Sequence, residues 1–391
     1  TTPNYTVAVG KSALGGATTT GDNNTAVGHA AGTAVTSGTN NTFIGMQAGL
    51  SLTVGAENVA VGMQALRAED GDGQNTAVGM QALEDLNAGA TGNNTAVGHI
   101  AGRRMTTGIE NTLIGAQAGD ALTDADYNVA IGMVALSADT KGSKSVAIGA
   151  GALETQNFTS STDAHNTAIG YVAGNDITTG SGNTAVGSSA LAQVTTGANN
   201  TSIGYNSGLS LTTGSQNTFV GPAVAGVGAS GYSMTTGSKN TILGGFNGNQ
   251  GGLDIRTNSN RIVLSDGDGN PRLYIDDSGN VYTAGNVSQS DPSGANQDGV
   301  ALRVNGQINN SCSSDPIATN RKGSDGNIIL LRQDASTEGT ISVSGTTVSY
   351  NGGHLSRYSQ LTDNTRDTTI VKGTVMTNLD QMAEWTSIPM T

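Results

Sequence analysis

His354, Ser356 and Asp363 supply the three side-chain types of a nucleophilic hydrolase within one short stretch. Geometry makes such a triad, and closeness along the chain does not, so the trio reads first as polar residues at a strand end. A second set is acidic: Glu69, Asp70 and Asp72, then Glu84 and Asp85, then Asp120, Asp124 and Asp126. Glycoside cleavage needs two carboxylates facing each other across a sugar. Carboxylates in tandem within turns read instead as solvated charge. Sugar clefts also want flat aromatic walls, and Trp385 is the sole tryptophan. Asp266, Asp268 and Asn270 have the spacing that opens a calcium loop. Pro271 stands where that loop needs glycine, however, and Asp277 where it needs glutamate, so a hairpin turn is expected. No catalytic, metal or cofactor residue is assigned. Phe158, His165, Tyr171, Tyr205 and Tyr232 fall in or near turns and are the candidate receptor contacts, suited to a glycan.

Composition restricts what could position these groups. Glycine makes up 58 of 391 residues, aromatics only 4 % and charged residues 12 %, so any core must be thin and repeated rather than built on large side chains. The glycines follow no three-residue period, which excludes collagen. The net charge of −13 argues against nucleic acid or an anionic membrane surface as partner. Cys312 is the only cysteine, which rules out an intrachain disulfide. No run approaches eighteen apolar residues, so membrane insertion is not expected. The first residue is Thr1, which implies processing or further residues before it.

A five-residue unit close to Asn-Thr-Ala-Val-Gly recurs fourteen times up to about residue 245. Nine of the thirteen intervals between its closing glycines are 17 residues, which marks one structural unit copied many times. Asn24, Val27 and Gly28, then Asn41, Ile44 and Gly45, then Asn75, Val78 and Gly79 represent it. Its second residue is Thr or Val and its fourth is aliphatic, as β-branched residues on one face of a strand would be. The third is usually Ala, so the opposite face also lies close to something. The closing glycine frees the backbone to turn, with positive φ. Ala follows three residues later in most copies, then Leu or Gly, and Thr-Gly or Ser-Gly marks the next turn.

One repeat therefore reads as strand, turn, short second strand, turn. Stacked at roughly 4.8 Å, fourteen such coils make a rod about 65 Å long. The asparagines either stack into a hydrogen-bonded ladder or cap their own turns. An Ala-lined outer face would be explained by close approach of another chain. A homotrimer is therefore expected, with Ala and Gly faces near the shared axis. The longer intervals place extra loops at 84–93, 154–165 and 222–239, where a rigid scaffold could present receptor contacts.

Runs such as the one from Asn24 to Gly32 and the one from Asn75 to Leu83 resemble the head repeats of trimeric autotransporter adhesins. They resemble still more the seventeen-residue repeats of certain bacteriophage tail fibres. The resemblance covers about residues 4–250 and implies a trimeric, left-handed β-roll.

Beyond Gly244 the pattern stops. Residues 245–260 read as a linker, and Arg261 to Tyr282 as a β-hairpin or meander. Short β-patterns follow at Val300–Val304, Asn327–Arg332 and Thr340–Tyr350, the last alternating around a Gly turn. Thr369–Met376 reads as a strand, and Asn378–Trp385 could begin a helix. Segments at Gly352–Arg357, Leu361–Asn364 and Ile370–Val375 resemble the entry to the self-cleaving C-terminal chaperone domain of phage tail fibres. Leu355 departs from that family's aromatic, and Arg366-Asp367 from its Lys-Pro pair. The resemblance implies at most self-cleavage as enzymatic activity.

The expected architecture is all-β: a trimeric parallel β-solenoid of about 14 coils over 1–250, a hairpin connector over 251–290 and a β-rich module over 291–391. The expected function is attachment of a virion to its host. The expected partners are two further copies, other tail proteins and a cell-surface glycan or protein. The alternative is an adhesin or filament on the bacterial surface.

Overall fold

The computed structural model describes residues 5–16, 19–71, 73–89, 91–283, 299–311, 325–333 and 336–352. These contain strands, bridges and turns and no helix. Two compact units divide between Ser314 and Asp315.

The first unit is a parallel β-solenoid. Each coil contributes a three-residue strand, such as Thr25–Val27, Thr42–Ile44 and Val59–Val61, paired in parallel and in register with its neighbours. Position by position, Thr25 lies on Thr42, Ala26 on Phe43 and Val27 on Ile44. The predicted second strand is replaced in most coils by consecutive turns. These still bond from coil to coil, as Gly32 N donates to Ala48 O at 2.9 Å. A second paired segment occurs where Gly142–Ser143 meets Thr162–Asp163.

All the closing glycines but Gly221 stand at strongly positive φ, 140° at Gly28 and 145° at Gly98. A Cβ at Gly98 would lie 2.4 Å from the carbonyl oxygen of Gly115 on the next coil. Only glycine lets the coils close to strand spacing at this corner.

The face toward the core corrects one expectation. Ala26, Ala60, Ala77 and Ala96, the third residues of their units, point inward and are fully buried within the single chain. They meet the second alanine file, Ala31, Ala65, Ala82 and Ala101, also fully buried. The alanines are small because the coil's own interior is thin, not because another chain approaches them.

Volume is traded between rows inside that interior. Where the strand carries Phe43, a Cβ on Gly32 or Gly49 would come within 2.7 or 2.4 Å of its ring. Leu113 is flanked likewise by Gly102 and Gly119, and Phe219 by Gly208 and Gly231. Where the strand residue is Ala, as at Ala60 and Ala77, the same position holds buried Leu66 and Leu83. Glycine after the second alanine thus makes room for a bulky strand residue on its own or the next coil, as at Gly32, Gly49, Gly102 and Gly119, while Gly174 stands beside Ala168 without such a residue.

Residues 245–260 are a coil rather than a linker. Phe246 and Ile255 are fully buried in them, and Ile262–Ser265 forms a fifteenth rung, parallel to Thr241–Leu243. On its other side that strand pairs antiparallel with Pro271–Ile275. The meander continues through Val281–Thr283 and Gly299–Leu302 to Ile308–Ser311. Tyr274 and Tyr282 stack with ring centroids 5.6 Å apart, and the Arg303 guanidinium lies over the Tyr282 ring. This switch from parallel to antiparallel pairing closes the open end of the solenoid. The second unit contains a three-stranded antiparallel sheet, Gly326–Gln333, Ser336–Ser344 and Thr347–Gly352, with Gly345 at positive φ in its hairpin.

The volume trade gives a test. Ala77→Phe should lower stability by about 3 kcal/mol through overpacking against Leu66 and Leu83. Adding Leu66→Gly and Leu83→Gly should recover most of it, because both leucines also occupy positive φ, 51° and 50°. Urea unfolding of the single and triple variants measures the recovery; equal losses in both would refute the trade.

Candidate functional site

The second and fourth residues of each unit face outward. Thr25, Val59 and Thr112 are half-buried, while Ile44, Ile114, Ile169 and Ile203 stand near 40 % exposed. An aliphatic stripe therefore runs up the shaft. Beside it, the residue after each closing glycine forms a second file. His29, Met46, Met63, Met80, His99, Met133, Tyr171 and Tyr205 all occupy it and all are exposed. No buried contact restrains this file, so it can change chemistry from coil to coil.

The buried asparagines hold these files in register. Asn41 N donates to Asn24 Oδ1 at 3.0 Å, and Asn58 N to Asn41 Oδ1 at 2.9 Å. Most side-chain amides also reach a turn carbonyl on the following coil, as Asn41 Nδ2 does to Gly55 O at 2.9 Å. Some also touch their own turn, as Asn111 Nδ2 does with Ile109 O. Both alternatives left open by the sequence are thus present, with the ladder running through nearly every coil.

The ladder is interrupted once, at Ser145. There Gln156 reaches across from the adjacent core row, donating to Ser145 Oγ and accepting from Asn166 Nδ2 at 2.8 Å. Gln156 also donates to the fully buried Asp139, which accepts from the amides of Gly142 and Phe158 at 3.1 and 3.0 Å. This network was missed in the sequence, although Asp139 sits six residues before Ser145 just as Leu52 sits six before Asn58.

Of the five candidate receptor contacts, Tyr171 and Tyr205 stand out from the surface, and His165 is exposed in a positive-φ turn. The structure does not place Phe158 as a surface contact. Phe158 is buried, because the 154–165 insertion tucks its ring beside Gly142. Tyr232 is half-buried against Gly228 in the third insertion. Insertion 154–165 is thus anchored from inside, and its exposed residues after Phe158 are Thr159, Ser160, Ser161, Asp163 and His165.

The acidic sets are not uniformly solvated as expected. Glu69 is fully buried, and Glu84 nearly so, held by Arg67 at 3.0 Å and Gln81 at 2.8 Å. Burial raises Asp120 above the usual carboxylate range against the pull of Arg103 and Arg104. Arg67, Glu84, Arg103 and Asp120 occupy one position on successive coils, so charges of opposite sign stack along the shaft. Of these, Arg67 and Glu84 form an ion pair from one coil to the next. A hollow of about 450 Å³ lies beside Thr235, Asp254, Arg256 and Asn258, and its carboxylate is bound by Arg256 at 2.7 Å.

Asp266 makes a hairpin turn. Its carboxylate accepts from Asp268 N at 3.1 Å and Asn270 N at 2.8 Å, and pairs with Arg272. Desolvation works to raise its pKa, but the bonds from Arg272 and Asn270 prevail and lower it to about 2. Asp276 repeats the turn with Ser278, Asn280 and Tyr282. Among the described residues no three His, Cys, Asp or Glu side chains are grouped to hold a metal ion. His354, Ser356, Asp363, Cys312, Trp385 and the strand and helix expected over 369–385 lie outside the described residues. No described helix is long and apolar enough to cross a membrane. Searches against family models, curated proteins and solved structures returned no match.

Two outcomes follow. Phe158→Ala should cost about 3 kcal/mol in urea unfolding, whereas Ser160→Ala should stay within about 0.5 kcal/mol; comparable losses would mean the insertion is not anchored by its ring. Because the folded pKa of Asp266 is depressed, its contribution is complete above the ordinary carboxylate pKa and is lost as pH falls from about 4 through about 2. The Asp268 and Asn270 amide resonances should therefore keep their positions to pH 4 and move together near pH 2. Movement centred near pH 4 would contradict the pairing with Arg272.

Proposed function

We propose that this chain is the subunit of a trimeric attachment fibre of a bacteriophage virion, whose shaft spans distance and whose outer files present a surface to the host envelope. The observation that carries the reading is the aliphatic stripe, left half-exposed on coil after coil of a single chain. Covering about 50 Å² of it on each coil, at about 25 cal/mol per Å², gives roughly 1 kcal/mol per coil, repeated the length of the shaft. The Thr and Val beside each Ile are compact and stiff, which suits close packing of strand faces. The seam is therefore the Thr/Val and Val/Ile face; the alanines, already used inside each coil, are no longer its basis.

On this reading three identical chains place their stripes about a common axis, and the Met, His and Tyr file lies at the rim. The role is mechanical and adhesive rather than catalytic. It agrees with the resemblance of the repeats to tail-fibre and adhesin heads, and with the resemblance of the segments after Gly352 to a fibre chaperone.

Sedimentation equilibrium at micromolar concentration should give three times the chain mass of 39.0 kDa. Ile114→Lys combined with Ile203→Lys should yield monomers with unchanged far-ultraviolet dichroism, since both side chains face outward. A wild-type monomer would remove the trimer. Adsorption of the labelled chain to a panel of bacterial strains tests attachment, and no adsorption to any of them would count against it.

A further inference from the structure

We propose that Tyr171 and Tyr205 wall a slot that holds one uncharged pyranose ring of a surface saccharide, with Ser188 as its floor; the biological role of the slot rests on the attachment reading above. Gly170, Gly187 and Gly204 close three consecutive coils, whose strands Thr167–Ile169, Thr184–Val186 and Thr201–Ile203 pair in register. Each glycine has nearly the same φ, 144°, 133° and 136°, so the residues that follow leave the backbone in the same way. Those residues are Tyr171, Ser188 and Tyr205. Ser189 N donates to Tyr171 O at 2.9 Å and Asn206 N to Ser188 O at 3.0 Å, which fixes the three backbones against one another.

Strand spacing then sets the slot. Two tyrosines on alternate coils stand about 9.6 Å apart. A flat ring stacks about 4.5 Å from an aromatic face, so a ring enclosed on both sides needs about 9 Å. Tyrosines on adjacent coils would close on each other, and a spacing of three coils would leave one face uncovered. Ser188 keeps the gap open with a small, half-exposed hydroxyl in a file that carries Met, His or Tyr on most other coils.

Neither tyrosine is consumed elsewhere. They are 64 % and 58 % exposed, and the file continues with Ala150 beyond one and Pro222 beyond the other, so neither has an aromatic neighbour in it. The residues of the slot and those just after them, Val172, Ser189 and Asn206, carry no charge. An uncharged hexose or N-acetylhexosamine therefore fits, and an anionic sugar finds no cation there.

Saturation-transfer NMR on the full chain, with methyl glycosides of glucose, galactose, N-acetylglucosamine and N-acetylneuraminic acid, tests this. Transfer to the ring protons of at least one neutral glycoside is expected. Tyr171→Ala and Tyr205→Ala should each weaken it tenfold or more, and Tyr→Phe at either site should stay within about threefold. Ser188→Phe should abolish binding without lowering the melting temperature, because bulky residues already occupy this file on other coils. Absence of transfer from every neutral glycoside, or binding that survives Tyr171→Ala and Ser188→Phe, would overturn the slot. Cell adsorption, measured in parallel, separates the two readings. Periodate-sensitive adsorption that is indifferent to these variants would discard the slot and keep attachment. Slot-dependent glycoside binding without adsorption would keep the slot and discard attachment.

Discussion

A strand of three residues cannot maintain itself, and everything in this chain depends on each one meeting an identical neighbour in identical register. Backbone pairing alone would not choose that register, since a slip by one residue keeps the hydrogen bonds while turning Ala outward and Thr and Val inward. The buried asparagine makes the choice. Its Oδ1 receives the amide of the next asparagine and its Nδ2 meets a carbonyl on the following coil, so a slip strands both inside an apolar column. Each stranded group costs about 1–3 kcal/mol, and the cost recurs on every coil displaced. Where the ladder lacks its side chain, at Ser145, the chain supplies Gln156 and Asp139 from the neighbouring row rather than leaving donors unmet.

The tight corners exact a backbone cost. In a single coil Gln64, Leu66 and Gln74 all hold positive φ, which disfavours residues with a Cβ by about 1–2 kcal/mol each. The coil tolerates this because each position returns a hydrogen bond to a neighbour: Gln64 N to Met46 O at 2.9 Å, Leu66 N to Ala82 O at 3.0 Å and Gln74 N to Ala56 O at 3.0 Å. Strain within a coil is thus offset by bonding between coils, and a lone coil has no stable state.

The period, the first strand of each coil and the positive-φ glycines were legible because each repeats many times and has few physical explanations, and the asparagine ladder was one of two readings the repeat allowed. Which face was inside was not. Alanine on a short strand can mean a thin interior or a close neighbour outside; only the second alanine file across the coil decides. The fifteenth coil was hidden for a different reason. Arg261 replaces the asparagine and Ser265 the glycine, yet the Arg261 amide still donates to Asn240 Oδ1 at 3.0 Å and Ile255 still fills the core row. The backbone requirement survives where the motif does not. Tyr171 and Tyr205 could be found from the repeat, since the residue after the closing glycine has no core contact to satisfy. Phe158 could not, because an insertion follows no period and its ring is placed by packing alone. Glu69 and Asp139 carried a readable sign: each stands six residues before the ladder position, where other coils have Val35, Leu52 or Leu122.

The separation of interior from outer files decides how such a chain can acquire recognition. Inside, a change on one coil has to be answered on the next, as Phe43 is answered by Gly32 and Gly49. Outside, the residue after each closing glycine answers to nothing, and histidine, methionine, alanine, tyrosine and serine succeed one another there without altering the coil. Chemistry along that file can therefore vary freely while its geometry cannot. Groups can be placed only at multiples of about 4.8 Å, on one line, with one backbone exit direction. A ligand for this surface must itself have a matching repeat or thickness, which a flexible side-chain cluster on a loop would not demand. Selectivity on such a shaft comes less from the shape of any single pocket than from which rungs carry large residues and which are left small.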